Sequence, residues 1–183
     1  MPKLPFPSLE SNRLLLRPFS FDDGDTVEKL AGDKAIAATV MNIPHPYEKG
    51  MAKEWIKTHE PDFVNDRGVN FAVTLKSDHS LIGSMGLIFQ KANEMAELGY
   101  WIGLPYWGQG YCTEAGKLVL SYAFNELKLN RVYAQFMHDN PASGRVMAKL
   151  GMKPEGILRQ HQIKWGEFKD MHFYGILAAE FKA

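Results

Sequence analysis

Residues Gly108 to Thr113 read GQGYCT, two glycines followed by a segment with helical spacing. A helix N-terminus presents unpaired N–H groups and the positive end of the helix dipole. Glycines let an anion approach that backbone because no Cβ intervenes. The pattern therefore predicts a strand–turn–helix junction suited to a phosphate-bearing ligand. Two common nucleotide motifs do not fit it. G-x-G-x-x-G would put Gly or Ala at 113, where Thr113 stands, and the Gly-Lys-Ser/Thr end of the P-loop pattern does not occur. On the glycines alone, a plain turn is the simpler reading.

Other reactive side chains lie near this junction or downstream of it. Cys112 sits where a helix N-terminus can lower a thiol pKa and make an acyl acceptor. Asn140 before Pro141 opens a helix well, with Asn as N-cap and Ser143 in the first turn. Glu114 lies in the first turn after the glycines, where the dipole favours a carboxylate. His45, His59, His79, His138, His161 and His172 are scattered, with neither H-E-x-x-H nor paired-cysteine spacing, so no metal site is expected.

The elements that must position these groups follow from hydrophobic periodicity. RLLLRPF reads as a strand stopped by Pro18, and Val27, Leu30 and Ala31 mark an amphipathic helix. MNIPHPYEKG is a loop, and a second helix carries Ala52, Trp55, Ile56 and His59 on one face. Three strand-like runs follow, VNFAVTL, LIGSMGLIFQ and AELGYWIGL, and short polar turns between them imply antiparallel neighbours. A helix from Thr113 to Leu127, the strand RVYAQFMHD, a helix after Asn140 closed by Gly151, and two final strands joined near Gly166 complete the chain. The order is β-α-α-β-β-β-α-β-α-β-β: an α/β (α+β) arrangement with a mixed, mostly antiparallel sheet of seven strands flanked by about four helices.

Composition limits the possible roles. The 183 residues suit a single domain spanning 1–183. Lys+Arg and Asp+Glu both total 21, which argues against broad capture of nucleic acid or an anionic membrane. One cysteine precludes an intrachain disulfide, and neither a signal peptide nor a membrane-length apolar run is present, so a cytoplasmic setting is expected.

YWIGLPYWGQGYCTEA followed by NPASGRVMAKLGM resembles the GNAT superfamily of acetyl-CoA-dependent N-acetyltransferases. The likeness is to the branch of ribosomal-protein N-terminal alanine and serine acetyltransferases, and it includes the opening RLLLRPF and the closing GEFKDMHFYGIL. The resemblance implies a GNAT-type fold and acetyl-CoA as cosubstrate. The family's pyrophosphate loop falls on Trp107 to Cys112, with Gly110 at its central glycine and Cys112 at a Gly/Ala position. Backbone N–H groups of Gln109, Gly110, Tyr111, Cys112 and Thr113 would then hold the pyrophosphate. Trp101, Ile102, Gly103 and Leu104 would run along pantetheine, with an amide near Trp101 or Ile102 polarising the thioester carbonyl.

The resemblance also distributes catalytic roles. Met147 occupies the position where many members carry a tyrosine acid, so Ser143 is the substitute acid and Asn140 a pantetheine contact, against plain helix-capping roles for both. Glu97 is the first choice of base, acting through water, with Glu94 and Asp139 behind it. Cys112 is read as packing, Glu114 as structural, and Arg145 as either a phosphate contact or a solvated helix residue. His45 and Tyr47 are the acceptor-site residues, while Trp55 reads as core. The expected partner is a primary amine, either a protein N-terminus or a small molecule such as an amino acid or aminoglycoside, with no nucleic acid or membrane and with room for a homodimer. A GNAT-fold module that binds acyl-CoA without turnover is the other class, and a nucleotide-dependent oxidoreductase is disfavoured by Thr113 and the antiparallel order.

Overall fold

A computed structural model describes residues 6–182; the first five residues of the proline-rich start lie outside them. The strands are β1 (Leu9–Glu10), β2 (Leu14–Pro18), β3 (Gly68–Leu75), β4 (Leu81–Gln90), β5 (Met95–Ile102), β6 (Arg131–Met137), β7 (Lys153–Lys164) and β8 (Glu167–Leu177). The helices are α1 (Gly24–Ala31), α2 (Lys34–Thr39), α3 (Met51–Lys57), α4 (His59–Val64), α5 (Tyr111–Ser121) and α6 (Pro141–Lys149). The strands form one sheet in the order β1-β2-β3-β4-β5-β6-β8-β7, antiparallel except at β5–β6.

The eighth strand is β1, two residues paired with Leu15 and Leu16 and too short for a sequence period to reveal. One short helix, α2, is unexpected, and one expected helix becomes a pair. α1 ends at Ala31, and Asp33 caps a new helix by accepting the Ala35 N–H at 2.8 Å. α3 and α4 part at Thr58, whose hydroxyl turns back to the Trp55 carbonyl at 2.8 Å. The helix expected as Thr113–Leu127 is α5 from Tyr111, continued by one wide turn over Tyr122–Glu126.

Period-2 alternation divides the sheet into two apolar faces. On one, Leu98 and Ile102 of β5 join Val132, Ala134 and Phe136 of β6 beneath α5 and α6. On the other, Trp101 joins Ala72 and Leu81 beneath α1, α2 and α3. α6 lies close on β6 because residue 144 is glycine: a Cβ there would stand 2.6 Å from the Phe136 ring. The second layer also buries His59, 5% exposed, between Trp55 and Phe19 with ring centroids at 4.4 and 5.1 Å. Both His59 ring nitrogens lack a hydrogen-bond partner among the described residues, and burial pushes its pKa down to about 4.

Candidate active site

β5 pairs with β4 along its whole length but with β6 through only three residue pairs, Met95–Glu97 against Arg131–Tyr133. Beyond Glu97 the two parallel strands diverge and leave a fork in the sheet. The Gly103 N–H donates to the Ile82 carbonyl at 2.8 Å, which fixes the phase of the β5 edge. By ladder alternation Gly99 and Trp101 direct their main-chain groups to β4, and Leu98, Tyr100 and Ile102 direct theirs into the fork. Of the two amides expected to polarise a carbonyl, Ile102's therefore opens on the fork and Trp101's does not. The Trp107 indole N–H donates to the Ile102 carbonyl at 2.5 Å and occupies the acceptor beside that free amide.

A cavity of about 710 Å³ runs through the fork from one face of the sheet to the other. On the α5–α6 face it is bounded by Tyr100, Ile102, Tyr111, Cys112, Thr113 and Ser143. Gly108 and Gly110 adopt left-handed φ values of 75° and 81°, which lead the chain from Trp107 into α5. No side chain caps that helix, and its first internal bond is Glu114 N–H to the Gly110 carbonyl at 3.0 Å. The N–H groups of Tyr111, Cys112 and Thr113 thus have no helical partner and stand at the cavity wall, a cradle that fits an anion.

Arg13 braces this loop from the β1–β2 turn, and no sequence pattern singled it out. Its guanidinium donates to the Gln109 carbonyl at 3.2 Å, lies 4.6 Å over the Tyr111 ring and pairs with the Glu114 carboxylate through Nε at 2.7 Å. Ser11 Oγ donates to the same carboxylate at 2.6 Å. Partial burial pushes the Glu114 pKa up, but the Ser11 and Arg13 hydrogen bonds outweigh it and hold the group below the usual carboxylate range. Glu114 is turned away from the cradle and ties α5 to the β1–β2 turn.

Ser143 Oγ lies 2.7 Å from the Tyr100 hydroxyl. Burial raises the Tyr100 pKa far above the ordinary phenol value, so the pair keeps its protons at neutral pH. Tyr100 is a proton-bearing group that the aligned helix motif, which holds Met147 at its tyrosine position, does not reveal. Asn140 spends both ends of its amide: Oδ1 accepts from the Ser143 N–H at 3.3 Å and Nδ2 donates to the Thr39 carbonyl at 3.1 Å. It is an N-cap that also ties α6 to the end of α2. Cys112 is pushed up to about 12 by burial, so it remains a thiol.

Glu97 occupies the other face. Alternation places it with Trp101, Tyr133 and Gln135, opposite to Tyr100 and Ser143. Its Oε1 accepts from Gln135 Nε2 at 2.8 Å, and its Oε2 accepts from the Tyr133 hydroxyl at 3.2 Å. Tyr133 in turn accepts from Gln90 Nε2 at 2.8 Å. Two neutral donors and no cation hold this carboxylate among the described residues. Ile36, Thr39, Val40, Met41, Asn42 and Met171 complete that side of the cavity.

Several expected contacts lie elsewhere. Gly103 backs onto Leu30, where a Cβ would stand 2.9 Å from Cδ2, and Leu104 is exposed, so the cavity wall on β5 ends at Ile102. Gln109 turns its side-chain amide to the Pro105 carbonyl at 3.1 Å and is off the wall. His45 and Tyr47 are also off the wall: Tyr47 packs beside Gly32 at the end of α1, and His45 lies 6.3 Å from the Trp165 ring. The cavity wall on the Glu97 side is built upstream of them, by residues 39–42.

The sequence matches the family described as "Acetyltransferase (GNAT) domain" over residues 13–153. An uncharacterized N-acetyltransferase of Bacillus subtilis, YnaD, is 30% identical over 173 residues, covering 94% of this chain and 98% of its own. The ribosomal-protein-serine acetyltransferase of Escherichia coli is 26% identical over 112 residues, 61% of this chain and 63% of its own. A crystal structure of a GNAT-family acetyltransferase from Bacillus anthracis superposes with a TM-score of 0.85 at 26% identity, covering 94% of this chain and 99% of that one. With the forked sheet and the uncapped glycine loop in place, the chain belongs to the GNAT family and is an acetyl-CoA-dependent N-acetyltransferase.

Proposed function

We propose that the acceptor is the α-amine of a protein or peptide N-terminus, and that acetyl passes to it directly in a ternary complex. The observation that carries this reading is the placement of Glu97 and the Tyr100–Ser143 pair on opposite faces of one fork. Acetyl-CoA enters from the α5–α6 face, with its pyrophosphate on the Tyr111–Thr113 amides and its thioester in the fork. The Ile102 N–H stabilises the oxyanion, which is often a major electrostatic term in acyl transfer. Glu97, through a water, takes the proton that the ammonium must lose before attack. The amine nitrogen then bonds to the carbonyl carbon and the C–S bond breaks; the thiolate takes a proton from Ser143, backed by the Tyr100 hydroxyl, and the second proton shed by the nitrogen as it becomes an amide returns through solvent to restore the Ser143 hydroxyl.

The charge of the cavity favours an acceptor with one cationic nitrogen over a polyamine. Among the described residues of the α2 face only Glu97 is a carboxylate without a cation, because Asp139 is engaged by Lys169 at 3.0 Å. The rest of that wall includes Ile36, Met41, Met137 and Met171, which suit a neutral chain flanking the amine. The test is acetyl-CoA turnover against N-terminal peptides, amino acids, aminoglycosides and polyamines. The highest kcat/KM is expected with a peptide. A preference for spermidine-like cations overturns the acceptor assignment, and a preference for a small monoamine restricts it to that class.

A further inference from the structure

The tip of the β7–β8 hairpin reaches across the molecule to the acceptor-side wall. Lys164 is 6% exposed and has no carboxylate partner among the described residues. Its Nζ donates to the carbonyls of Val40 at 2.7 Å, Met41 at 3.0 Å and Ile43 at 2.9 Å. An ammonium has three N–H donors, so these three carbonyls saturate it. Burial lowers the Lys164 pKa from the ordinary lysine value, the cost of holding a charge there without a counter-ion.

The next residue carries a cost of its own. Trp165 has a left-handed φ of 52°, an uncommon conformation for a bulky residue at a turn whose second position is Gly166 at 82°. A two-residue hairpin of this kind favours Asn-Gly, and strain of this sort persists only where surrounding contacts over-determine it. Here the Trp165 ring lies 5.2 Å from the Lys164 ammonium and 6.3 Å from the His45 ring. Val40 and Met41, whose carbonyls Lys164 holds, line the cavity on the Glu97 face. The preceding carbonyl, Thr39, is held by Asn140 from α6.

We propose that Lys164 and Trp165 form a clasp that sets the acceptor wall, making them positioning residues for the amine and not for acetyl-CoA. The proposal rests on the reading of the α2 face as the acceptor side. Three carbonyls of the loop that follows α2 are fixed by one side chain more than 120 residues away in sequence. The wall therefore depends on a partner that touches neither substrate. The His45 ring lies 6.3 Å from the Trp165 ring.

Two variants separate positioning from mere stability. Lys164→Met keeps the apolar stem and removes the donors. Trp165→Asn puts a residue suited to the left-handed turn in place of a strained one, so the fold is not expected to lose thermal stability. Hydrogen exchange over residues 39–44 reads the wall directly, and steady-state kinetics with the best amine of the panel read its consequence. In Lys164→Met, exchange is expected to speed up and acceptor kcat/KM to fall roughly 10–100-fold, while the acetyl-CoA Kd stays unchanged. Trp165→Asn is expected to move both readouts the same way by less, with no fall in Tm. Unchanged exchange and unchanged acceptor KM in folded Lys164→Met overturn the clasp, as does equal weakening of both substrates. A wild-type protein that acetylates no amine defeats the functional reading instead, and the exchange data alone then decide whether the clasp exists.

Discussion

On the α5–α6 side the cavity wall is largely main chain: three helix-start amides, two left-handed glycines and the fork-facing amide of Ile102. On the α2 side it is side chains and a loop held by donors from elsewhere, with Lys164 and Asn140 gripping residues 39–43. The cationic lining residues, Arg145 and Lys149, belong to the first side, and the acidic ones, Glu97 and Asp139, to the second. A backbone site recognises a group common to every reaction cycle and is nearly indifferent to side-chain identity. A side-chain site recognises what is particular to one acceptor. On the proposed reading the cavity thus has a generic half and a specific half, joined at the fork between β5 and β6.

Substitutions should separate the halves if this division is right. The largest effect is expected at Glu97. Glu97→Gln keeps the shape and both neutral contacts but removes the base, so kcat/KM for the amine should fall roughly 10²–10⁴-fold. Acetyl-CoA affinity, measured by calorimetry, should not move; a matching loss there would join the halves that the geometry keeps apart.

The acceptor half should also carry the acid sensitivity of the fold, through His59. Its pKa is about 4 folded against 6.5 ordinarily, because burial between Trp55 and Phe19 disfavours the imidazolium. Well above pH 6.5 neither state is charged and the group has no pH-dependent effect. As pH falls from about 6.5 to 4 the unfolded state takes the proton first, so stability declines by about 3 kcal/mol and then levels. Denaturant titrations at pH 7 and pH 4 should show this decline in the parent protein, and His59→Phe should remove it.

On the generic half, Gly110→Ala forces a Cβ onto a left-handed residue at a cost of about 1–2 kcal/mol, so acetyl-CoA Kd should rise about tenfold. Acceptor KM at saturating acetyl-CoA should stay near that of the parent, the mirror image of Glu97→Gln. The smallest effect belongs to Cys112→Ala. A thiol held near 12 is not a nucleophile at neutral pH, and transfer should persist in the variant. Near-complete loss in a folded Cys112→Ala protein would restore a covalent acyl-cysteine route.

The generic half was also the half legible in the sequence. GQGYCT announces a glycine turn at a helix start because the requirement is local: positive φ and unpaired amides belong to consecutive residues. Asn140-Pro141 announced its helix for the same reason, and its cap is present. What sequence could not show depends on partners far along the chain. Arg13 meets Glu114 about a hundred residues away, Tyr100 meets Ser143 across the fork, and Lys164 meets a loop at the opposite end of the chain. His45 and Tyr47 are expected at the acceptor site only from the family resemblance of their loop; they lie off the cavity wall, and Lys164 holds the loop upstream of them. α2, the six-residue KAIAAT, is too short and too uniformly apolar to show a helical period, yet it carries Ile36 and Thr39 onto the cavity wall.

The central claim is that one continuous cavity joins a coenzyme half to an N-terminal-amine half across the forked sheet. Its most direct measurement is the affinity of a bisubstrate compound in which the coenzyme A sulfur is joined through an acetyl bridge to the α-amine of a short peptide. The account expects it to bind about 10²-fold or more tighter than coenzyme A alone, with the excess lost in Lys164→Met. A conjugate that binds no tighter than coenzyme A, or one surpassed by the corresponding polyamine conjugate, would contradict it.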